Sequence, residues 1–230
     1  MGLSHSPSIT ADGLVLCLDA ANRRSYPGSG NSWLDLSGKG NNGTFGPGTA
    51  APTFSSGNGG SLVFDGSNDY VNVATATSLG INSSLTSFSI NIWFTTMGAG
   101  EYYLFDNWNG GVDISLRVDN GKFESYLAAT GSNLLLCGFG YNNGVWQNFN
   151  LTWNGSNIVN AYANGVGIGS NTSSITGSFE SNAPFRIGHR PAGGGAFFPG
   201  KIAQLSIYNR ALSADEVRSN YLATKSRFGL

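Results

Sequence analysis

The clearest strand signal in the chain is Ser87-Phe-Ser-Ile-Asn-Ile-Trp-Phe-Thr95. Its apolar side chains at positions 88, 90, 92 and 94 fall on every second residue. Successive side chains of a strand point to opposite faces. The segment therefore predicts a strand that buries one face in a core.

Shorter segments of the same kind lie on both sides, separated by turn residues. Asn-Gly pairs such as Asn120-Gly121 and Asn164-Gly165 accept the positive φ angles of tight hairpin turns. Glycine makes up 34 of 230 residues and aromatic residues 12%, a composition that favours many short strands joined by turns. The predicted strands are residues 13–18, 61–64, 70–73, 87–95, 102–105, 112–118, 122–127, 145–153, 158–163, 185–187 and 201–208.

One helix is predicted near the end of the chain. Ser213 with Glu216 three residues later forms a capping-box pattern, and Val217 and Tyr221 follow at helical spacing. Because the composition does not change along the chain, we expect one domain over residues 13–230, preceded by a flexible amino-terminal arm, residues 1–12.

A long segment rich in Gly, Asn, Ser and Pro occupies residues 22–60. A loop of this length in a compact domain is either functional or braced by its own side chains. The candidates for bracing are Trp33, Leu34, Leu36 and Phe45.

Charge and hydropathy exclude several function classes. Lys and Arg number 12 against 13 Asp and Glu, so no electrostatic attraction to nucleic acid is expected. No apolar run approaches the roughly 18 residues of a membrane helix, and residues 1–8 lack the features of a secretory signal peptide. Cys17 and Cys137 are too few for a disulfide framework and are expected to be buried, inert thiols.

Five motifs resemble one family. Phe64-Asp-Gly-Ser-Asn-Asp-Tyr-Val71 resembles the F-D-G-x-x-D-Y-V segment of laminin-G-like, concanavalin A-like jelly rolls, and residues 87–94 resemble the S-F-S-x-x-x-W-F strand of that family. Residues 146–165, 186–203 and 208–217 are similar to its later hairpin, closing strands and terminal helix. The resemblance spans about residues 60–225. It implies an all-β fold, an antiparallel two-sheet jelly-roll sandwich with a short C-terminal helix.

A narrower resemblance lies before these motifs. Residues 12–20, 26–30 and 33–43 look like the opening of stand-alone laminin-G-like proteins encoded by tailed phages, with those of marine cyanobacteria as the nearest analogy. This resemblance implies a non-enzymatic virion structural protein, a capsid decoration or surface protein. Its location would be the surface of the virion, and its partners the major capsid protein or other virion proteins. The sequence leaves open whether it forms a homo-oligomer.

The alternative hypothesis is a carbohydrate-binding module or lectin, acting as a tail or fibre adhesin or as a secreted binder. Exposed aromatic rings stack on sugar faces while polar groups fix the orientation of the sugar. The candidates are Tyr102, Tyr103, Trp108 and Tyr141. The two hypotheses are compatible, since a decorating protein can also bind glycans on a cell surface.

Phe197 and Phe198 follow the glycine run at residues 193–195 and are candidates for an interface patch. The other interpretation is that one of the two rings fills the end of the sandwich.

Asp65, Asn68 and Asp69 are weak candidates for a calcium site, because Ca²⁺ is held by carboxylate and carbonyl oxygens. The same residue types in a glycine-containing turn also accept hydrogen bonds from their own backbone. We therefore assign no metal, and calcium is the one cofactor that the sequence leaves open.

Enzymatic activity is not expected. Glycosidases of related folds carry paired carboxylates on one strand, and the four glutamates here, Glu101, Glu124, Glu180 and Glu216, form no such run. The two histidines, His5 and His189, stand in no nucleophile motif.

Overall fold

Strand pairing organises the chain into two antiparallel sheets whose facing side chains form the main core. The structure is a computed structural model, and it describes residues 8–82, 86–108, 113–128, 132–138, 140–172, 179, 183–191 and 197–230. Within these residues the strands are β1 (Leu14–Asp19), β2 (Ser32–Trp33), β3 (Gly43–Phe45), β4 (Thr53–Ser55), β5 (Ser61–Asp65), β6 (Val71–Asn72), β7 (Phe88–Thr96), β8 (Glu101–Asp106), β9 (Asp113–Asp119), β10 (Lys122–Ala128), β11 (Ser132–Cys137), β12 (Gln147–Trp153), β13 (Ile158–Ala163), β14 (Val166–Thr172), β15 (Arg186–Ile187) and β16 (Pro199–Tyr208). One α-helix, α1 (Ala214–Thr224), follows the last strand.

Sheet I has the order β14-β13-β12-β7-β16-β5-β4, with β1 also paired to β16. Strand β16 is central because it pairs with β7 along most of its length. On the edge opposite β7, the first half of β16 pairs with β5 and the second half pairs with β1. Three segments that are distant in sequence are therefore held by one strand.

Sheet II has the order β11-β10-β9-β8-β15-β6-β3-β2. Aromatic contacts join it to sheet I across the core. Phe123 of β10 stacks on Phe149 of β12 with ring centroids 4.2 Å apart, and its edge meets Phe94 of β7 at 5.5 Å. Large rings fill the space between the two layers, as expected for a β-sandwich.

The architecture confirms the expected fold class, an all-β antiparallel two-sheet sandwich with a short C-terminal helix. Strand β7 lies where the alternating segment predicted it, and its apolar residues Phe88, Ile90, Ile92 and Phe94 are fully buried. Five strands were not predicted: β2, β3, β4, β11 and β14. The first three have only two or three residues, which is too short to show a period.

The bracing of residues 22–60 follows the expectation in part. Trp33 and Phe45 are buried, whereas Leu34 is 41% exposed. A carboxylate adds a polar brace that was not anticipated, because Asp35 accepts hydrogen bonds from the backbone N–H groups of Cys17 and Asn41 at 2.9 and 3.0 Å. The segment is thus fixed to β1 by both packing and hydrogen bonds.

The end of the chain covers part of the outer face of sheet I. The indole of Trp93 on β7 lies between Phe228, at 4.1 Å between ring centroids, and Tyr221 of α1, at 5.7 Å. Arg227 then binds the carboxylate of Asp19 at 2.7 Å and the backbone oxygen of Gly60. These contacts tie the last turn of the chain to β1 and to the start of β5.

The amino-terminal arm lies partly outside the described residues, which begin at residue 8. Near its end, the N–H of Thr10 donates to Oδ1 of Asn220 at 2.8 Å, and Asp12 pairs with Arg210 at 2.8 Å. Cys17 is buried, and burial raises the pKa of its thiol to about 11, which agrees with an inert role. The side chain of Cys137 is not among those described.

No helix among the described residues is long and apolar enough to cross a bilayer.

Helix α1 begins with the predicted capping box. The Ser213 hydroxyl accepts from the N–H of Glu216, and the Glu216 carboxylate accepts from the N–H of Ser213. The same carboxylate pairs with the Arg210 guanidinium at 2.6 and 2.9 Å. The bond from Arg210, followed by the Ser213 N–H, lowers the pKa of Glu216 from 4.5 to about 2.

Glu216→Gln should lower the free energy of unfolding near neutral pH by about 1 kcal/mol. Since the folded-state pKa is depressed, the contribution of Glu216 is fully present above the unfolded pKa and is lost as pH falls from about 4.5 to about 2. Chemical denaturation at several pH values measures this difference. Asp215→Asn removes a charge from the same helical turn and is the control. A wild-type advantage as large at pH 2 as at pH 7 would contradict the assignment.

Candidate functional site

A row of polar residues crosses sheet II on the face that points away from the core. Strand pairing places Tyr126 opposite Ser115 and Ser115 opposite Asp106. The row continues from Asp106 to Arg186 and from Arg186 to Asn72. Directly paired residues of neighbouring strands lie on one face about 5 Å apart. Five adjacent strands thus contribute to one row on this face, in which Asp106 and Ser115 are buried.

A β-bulge in β8 brings two parts of the site to this face. The register with β9 shifts between Tyr103 and Phe105, and Leu104 and Phe105 are both fully buried in the core. In a regular strand, Tyr103 and Asp106 would point to opposite faces because three positions separate them. The extra residue restores them to the same face, a known use of bulges near binding sites.

An arginine lies over two aromatic rings at the end of β8. The guanidinium carbon of Arg190 is 4.0 Å from the ring centroid of Trp108 and 5.2 Å from that of Tyr103. Nη1 of Arg190 also donates to the Tyr103 hydroxyl at 2.9 Å. Cation–π attraction and this hydrogen bond hold the three side chains in a fixed arrangement.

The backbone beside Trp108 is held by two buried polar side chains. The carboxylate of Asp106 accepts from the N–H of Trp108 at 2.6 Å, and Oδ1 of Asn107 accepts from the N–H of Ile114 at 2.9 Å. Burial raises the pKa of Asp106 to about 6, although the Ser115 hydroxyl, the Trp108 N–H and nearby arginines oppose the shift. Asp106 is fully buried, and its carboxyl fixes the backbone of Trp108 through this hydrogen bond.

Arg117 gathers two carboxylates on the neighbouring strands. Its guanidinium binds Glu124 at 2.6 Å and Glu101 at 3.0 Å. The Tyr103 hydroxyl donates to Glu101 as well. Burial and this hydrogen bond raise the pKa of Tyr103, so the phenol stays protonated at neutral pH. Each charged group of this cluster therefore contacts an oppositely charged group within it.

These side chains surround a cavity of about 380 Å³, which we call the Trp108 pocket. Its lining residues are Tyr103, Trp108, Ser115, Arg117, Tyr126 and Arg190. The rings of Trp108 and Tyr126 are half-exposed, whereas Tyr103 and Ser115 are buried. The pocket thus presents two aromatic surfaces beside the guanidinium groups of Arg117 and Arg190, a composition typical of small-ligand sites.

The structure separates the four tyrosine and tryptophan candidates into two pairs. Tyr103 and Trp108 line the Trp108 pocket. Tyr102 points to the core side and donates its hydroxyl to the backbone oxygen of Ala99 at 3.0 Å. Tyr141 stacks on the buried ring of Phe123 at 3.9 Å, where it extends the core. The latter two do not take part in the pocket.

The two phenylalanines proposed as an interface patch also differ. Phe198 is fully buried against Phe64 and Phe94, so it fills the end of the sandwich and cannot belong to an exposed surface. Phe197 is half-exposed and stacks on the His189 ring at 3.9 Å. The glycine run at residues 193–195 lies outside the described residues.

Four pocket residues were not identified from the sequence: Ser115, Arg117, Tyr126 and Arg190. Ser115, Arg117 and Tyr126 occupy alternate positions of strands that were predicted, so their outward face could have been read from the period. Their proximity to Trp108 could not, because it depends on the register between strands and on the bulge at Leu104.

The carboxylates of the calcium candidates bind their own backbone. Oδ1 of Asp65 accepts from the N–H groups of Ser67 and Asn68 at 2.8 and 3.2 Å. Oδ2 of Asp69 accepts from the N–H of Asp65 at 2.8 Å, and Asn68 donates to Thr49 at 3.0 Å. In the described part of the chain, no three acidic, His or Cys side chains come together as a metal site would require. The turn chemistry alone accounts for these residues.

A family model described as the concanavalin A-like lectin/glucanases superfamily, laminin-G type, matches residues 65–218, about two thirds of the chain. The match covers most of the motifs that carried the laminin-G-like resemblance. None of the curated proteins matches the chain in sequence.

Solved structures of several binding domains share the fold. The binding domain of Paraclostridial Mosquitocidal Protein 1 is 18% identical, with a TM-score of 0.72 over 92% of this chain and 52% of that one. A structure reported for botulinum neurotoxin type C and its interaction with two ganglioside molecules is 15% identical, with a TM-score of 0.68 over 92% and 52%. This chain thus spans about half the length of these toxin domains.

Domain 4 of AbnA, a GH43 extracellular arabinanase from Geobacillus stearothermophilus in complex with arabinotriose, is matched over nearly its full length. It is 20% identical, with a TM-score of 0.69 over 91% of this chain and 98% of that one. At these identities the likeness establishes the fold.

Treatment with EDTA should leave the thermal unfolding midpoint unchanged, because the oxygens of Asp65 and Asp69 already accept backbone hydrogen bonds. Differential scanning calorimetry with EDTA, and again with millimolar CaCl₂, measures this. A midpoint that falls in EDTA and recovers with calcium would show that the turn holds a metal.

Proposed function

The chain belongs to the concanavalin A-like lectin/glucanase superfamily, and on that premise we propose that it is a non-catalytic carbohydrate-binding protein whose ligand occupies the Trp108 pocket. The observation that carries the proposal is the fixed arrangement of Trp108, Arg190 and Tyr103 at the wall of the pocket.

The geometry suits a sugar ring. The C–H groups of a sugar ring can pack on the indole of Trp108, which Arg190 holds in place. Because its neighbours already fix the indole, binding costs it no side-chain entropy. Tyr126 and Arg117 supply a hydroxyl and a guanidinium group at the cavity, which would orient the ring hydroxyls.

The carboxyl groups near the pocket support binding rather than hydrolysis. Glu101 and Glu124 both form ion pairs with Arg117, so their carboxylates are engaged in binding that guanidinium. Asp106 has the raised pKa of a general acid, yet its carboxyl is fully buried below the pocket. A glycosidase needs two carboxyl groups that flank the scissile bond, and the described lining residues include no carboxylic acid.

The named ligands of the structural neighbours are consistent with this proposal. The arabinanase domain was solved with arabinotriose, and the neurotoxin structure concerns ganglioside molecules. Binding of these ligands is a property of those proteins. For this chain it supports only carbohydrates as the class of ligand.

Trp108→Ala should weaken glycan binding by roughly tenfold or more, because it removes the stacking surface from the wall of the pocket. A glycan array identifies a ligand, and isothermal titration calorimetry then measures the dissociation constants. Tyr162→Ala, which removes a half-buried ring from the outer face of sheet I, is the matched control. Saturable binding that Trp108→Ala leaves unchanged would place the site elsewhere, and no binding to any glycan would refute the proposal.

For the biological setting we propose the surface of a virion, with the major capsid protein or another virion protein as partner. The support is the phage-type resemblance of residues 12–43, which precede the region that the family model matches. These residues are built into the domain through β1 and the bonds of Asp35, so they behave as part of the module. A glycan-binding decoration would combine both hypotheses.

Quantitative mass spectrometry across a density gradient of particles from the source tests this setting. Co-sedimentation with the major capsid protein at comparable copy number would establish a decoration, and a few per cent of that number would indicate a tail or fibre. Absence from particles would refute the virion hypothesis and leave the carbohydrate-binding proposal standing.

A further inference from the structure

Beside the Trp108 pocket lies a second group of aromatic and basic side chains. We call it the Arg186 subsite and define it by Tyr70, Arg186, His189 and Phe197. All four are half-buried. Arg186 follows Asp106 in the polar row of sheet II, and His189 directly precedes Arg190 of the pocket. The two sites are therefore adjacent on one face.

Arg186 is held in place by uncharged groups. Its guanidinium carbon lies 4.4 Å from the ring centroid of Tyr70, and Nε donates to Oδ1 of Asn72 at 3.1 Å. Nη1 is 3.3 Å from Nδ1 of His189. Within the described part of the chain no carboxylate pairs with Arg186, in contrast to Arg117 on the same face, which binds two.

The carboxylates around the subsite are distant or already engaged. Those of Asp65 and Asp69, in the turn before Tyr70, accept backbone N–H groups of that turn. Glu124 is buried on β10, three strands from β15, which corresponds to about 14 Å at the spacing of strands in a sheet. Glu101 lies on the adjacent strand but five residues along from the partner of Arg186, or about 16 Å. The carboxyl of Asp106 is closer, but it is fully buried and bound to the Trp108 N–H.

His189 contributes an uncharged ring with one N–H donor to the subsite. Burial and the adjacent Arg186 lower the pKa of His189 to about 4, so the ring is uncharged at neutral pH. With Nδ1 facing the guanidinium, the ring proton is assigned to Nε2. The imidazole stacks on Phe197 at 3.9 Å with an interplanar angle of 11°, and the two rings form an apolar wall beside Arg186.

We propose that the Arg186 subsite binds the carboxylate or sulfate group of an acidic sugar whose neighbour in the glycan chain occupies the Trp108 pocket. The inference rests on the proposed carbohydrate-binding function and narrows its ligand to acidic oligosaccharides. A guanidinium presents parallel N–H donors that match the two oxygens of such groups. Because Tyr70 and Asn72 already orient it, little side-chain freedom is lost on binding.

The experiment compares each acidic oligosaccharide with its own neutral form. Trigalacturonate and its methyl ester test a carboxylate, and a sulfated galactan trisaccharide and its desulfated form test a sulfate. Titration calorimetry is performed on the wild type, Arg186→Gln and Arg186→Lys, with Arg218→Gln as a control that removes an exposed positive charge from helix α1. Unfolding midpoints confirm that every variant is folded.

We expect the wild type and the Arg218→Gln variant to prefer one acidic form over its neutral counterpart by about tenfold to one hundredfold. Arg186→Gln should abolish this preference while retaining the affinity for the neutral form, and Arg186→Lys should retain part of it because it keeps the charge without the planar donors. The preferred pair identifies carboxylate or sulfate as the group recognised.

Equal binding of acidic and neutral forms by the wild type, or a preference that survives Arg186→Gln, would overturn the inference and leave the Trp108 pocket as a site for neutral glycans. If none of the four oligosaccharides binds and the glycan array is also negative, the proposed function itself is refuted. The two failures are therefore distinguishable.

Discussion

The pairing of β16 with three other strands is the constraint on which the rest of the structure depends. This ten-residue strand binds β7 on one side and, on the other, β5 with its first half and β1 with its second. The hydrogen bonds of one strand thus fix the relative positions of segments near residues 14, 61 and 88. Once sheet I is assembled in this way, the buried rings of β7 and β12 provide the surface on which sheet II packs.

The two outer faces of the sandwich then have different roles. On sheet I, Trp93 is covered by Tyr221 and Phe228, and Arg227 fixes the covering segment to Asp19. On sheet II the equivalent face keeps polar and aromatic side chains accessible around the Trp108 pocket. The end of the chain thus covers part of one outer face, whereas the other presents side chains from several strands around one pocket.

The parts of the fold that depend on local sequence could be predicted. The alternation in β7 and the capping box of Ser213 each involve residues a few positions apart, and both were predicted at the positions observed. The aromatic cluster near the end of β8 was also recognised, but Tyr102 and Tyr103 could not be distinguished. Which of them faces the pocket depends on the bulge at Leu104, and the local sequence pattern does not indicate this bulge.

The remaining site residues depend on pairing between distant segments, and a single sequence does not contain that register. The separation between Trp108 and Arg190 is 82 positions, yet the side chains are in contact. Arg117 and Glu124 meet across a hairpin whose turn, Asn120-Gly121, was identified, so this contact could have been inferred with the correct register. Phe198 shows the opposite limit, since an aromatic residue beside a glycine run looks the same in sequence whether it is exposed or buried.

The central position of β16 also has a consequence for the order of events during synthesis. A ribosome releases β1, β5 and β7 long before residues 199–208, so until then β5 and β7 each lack a partner on one edge and β1 lacks the strand with which it pairs. Their apolar faces and free backbone groups are open to incorrect pairing during that time. Final assembly of sheet I is therefore a late, long-range event, and contacts of this sequence separation form slowly.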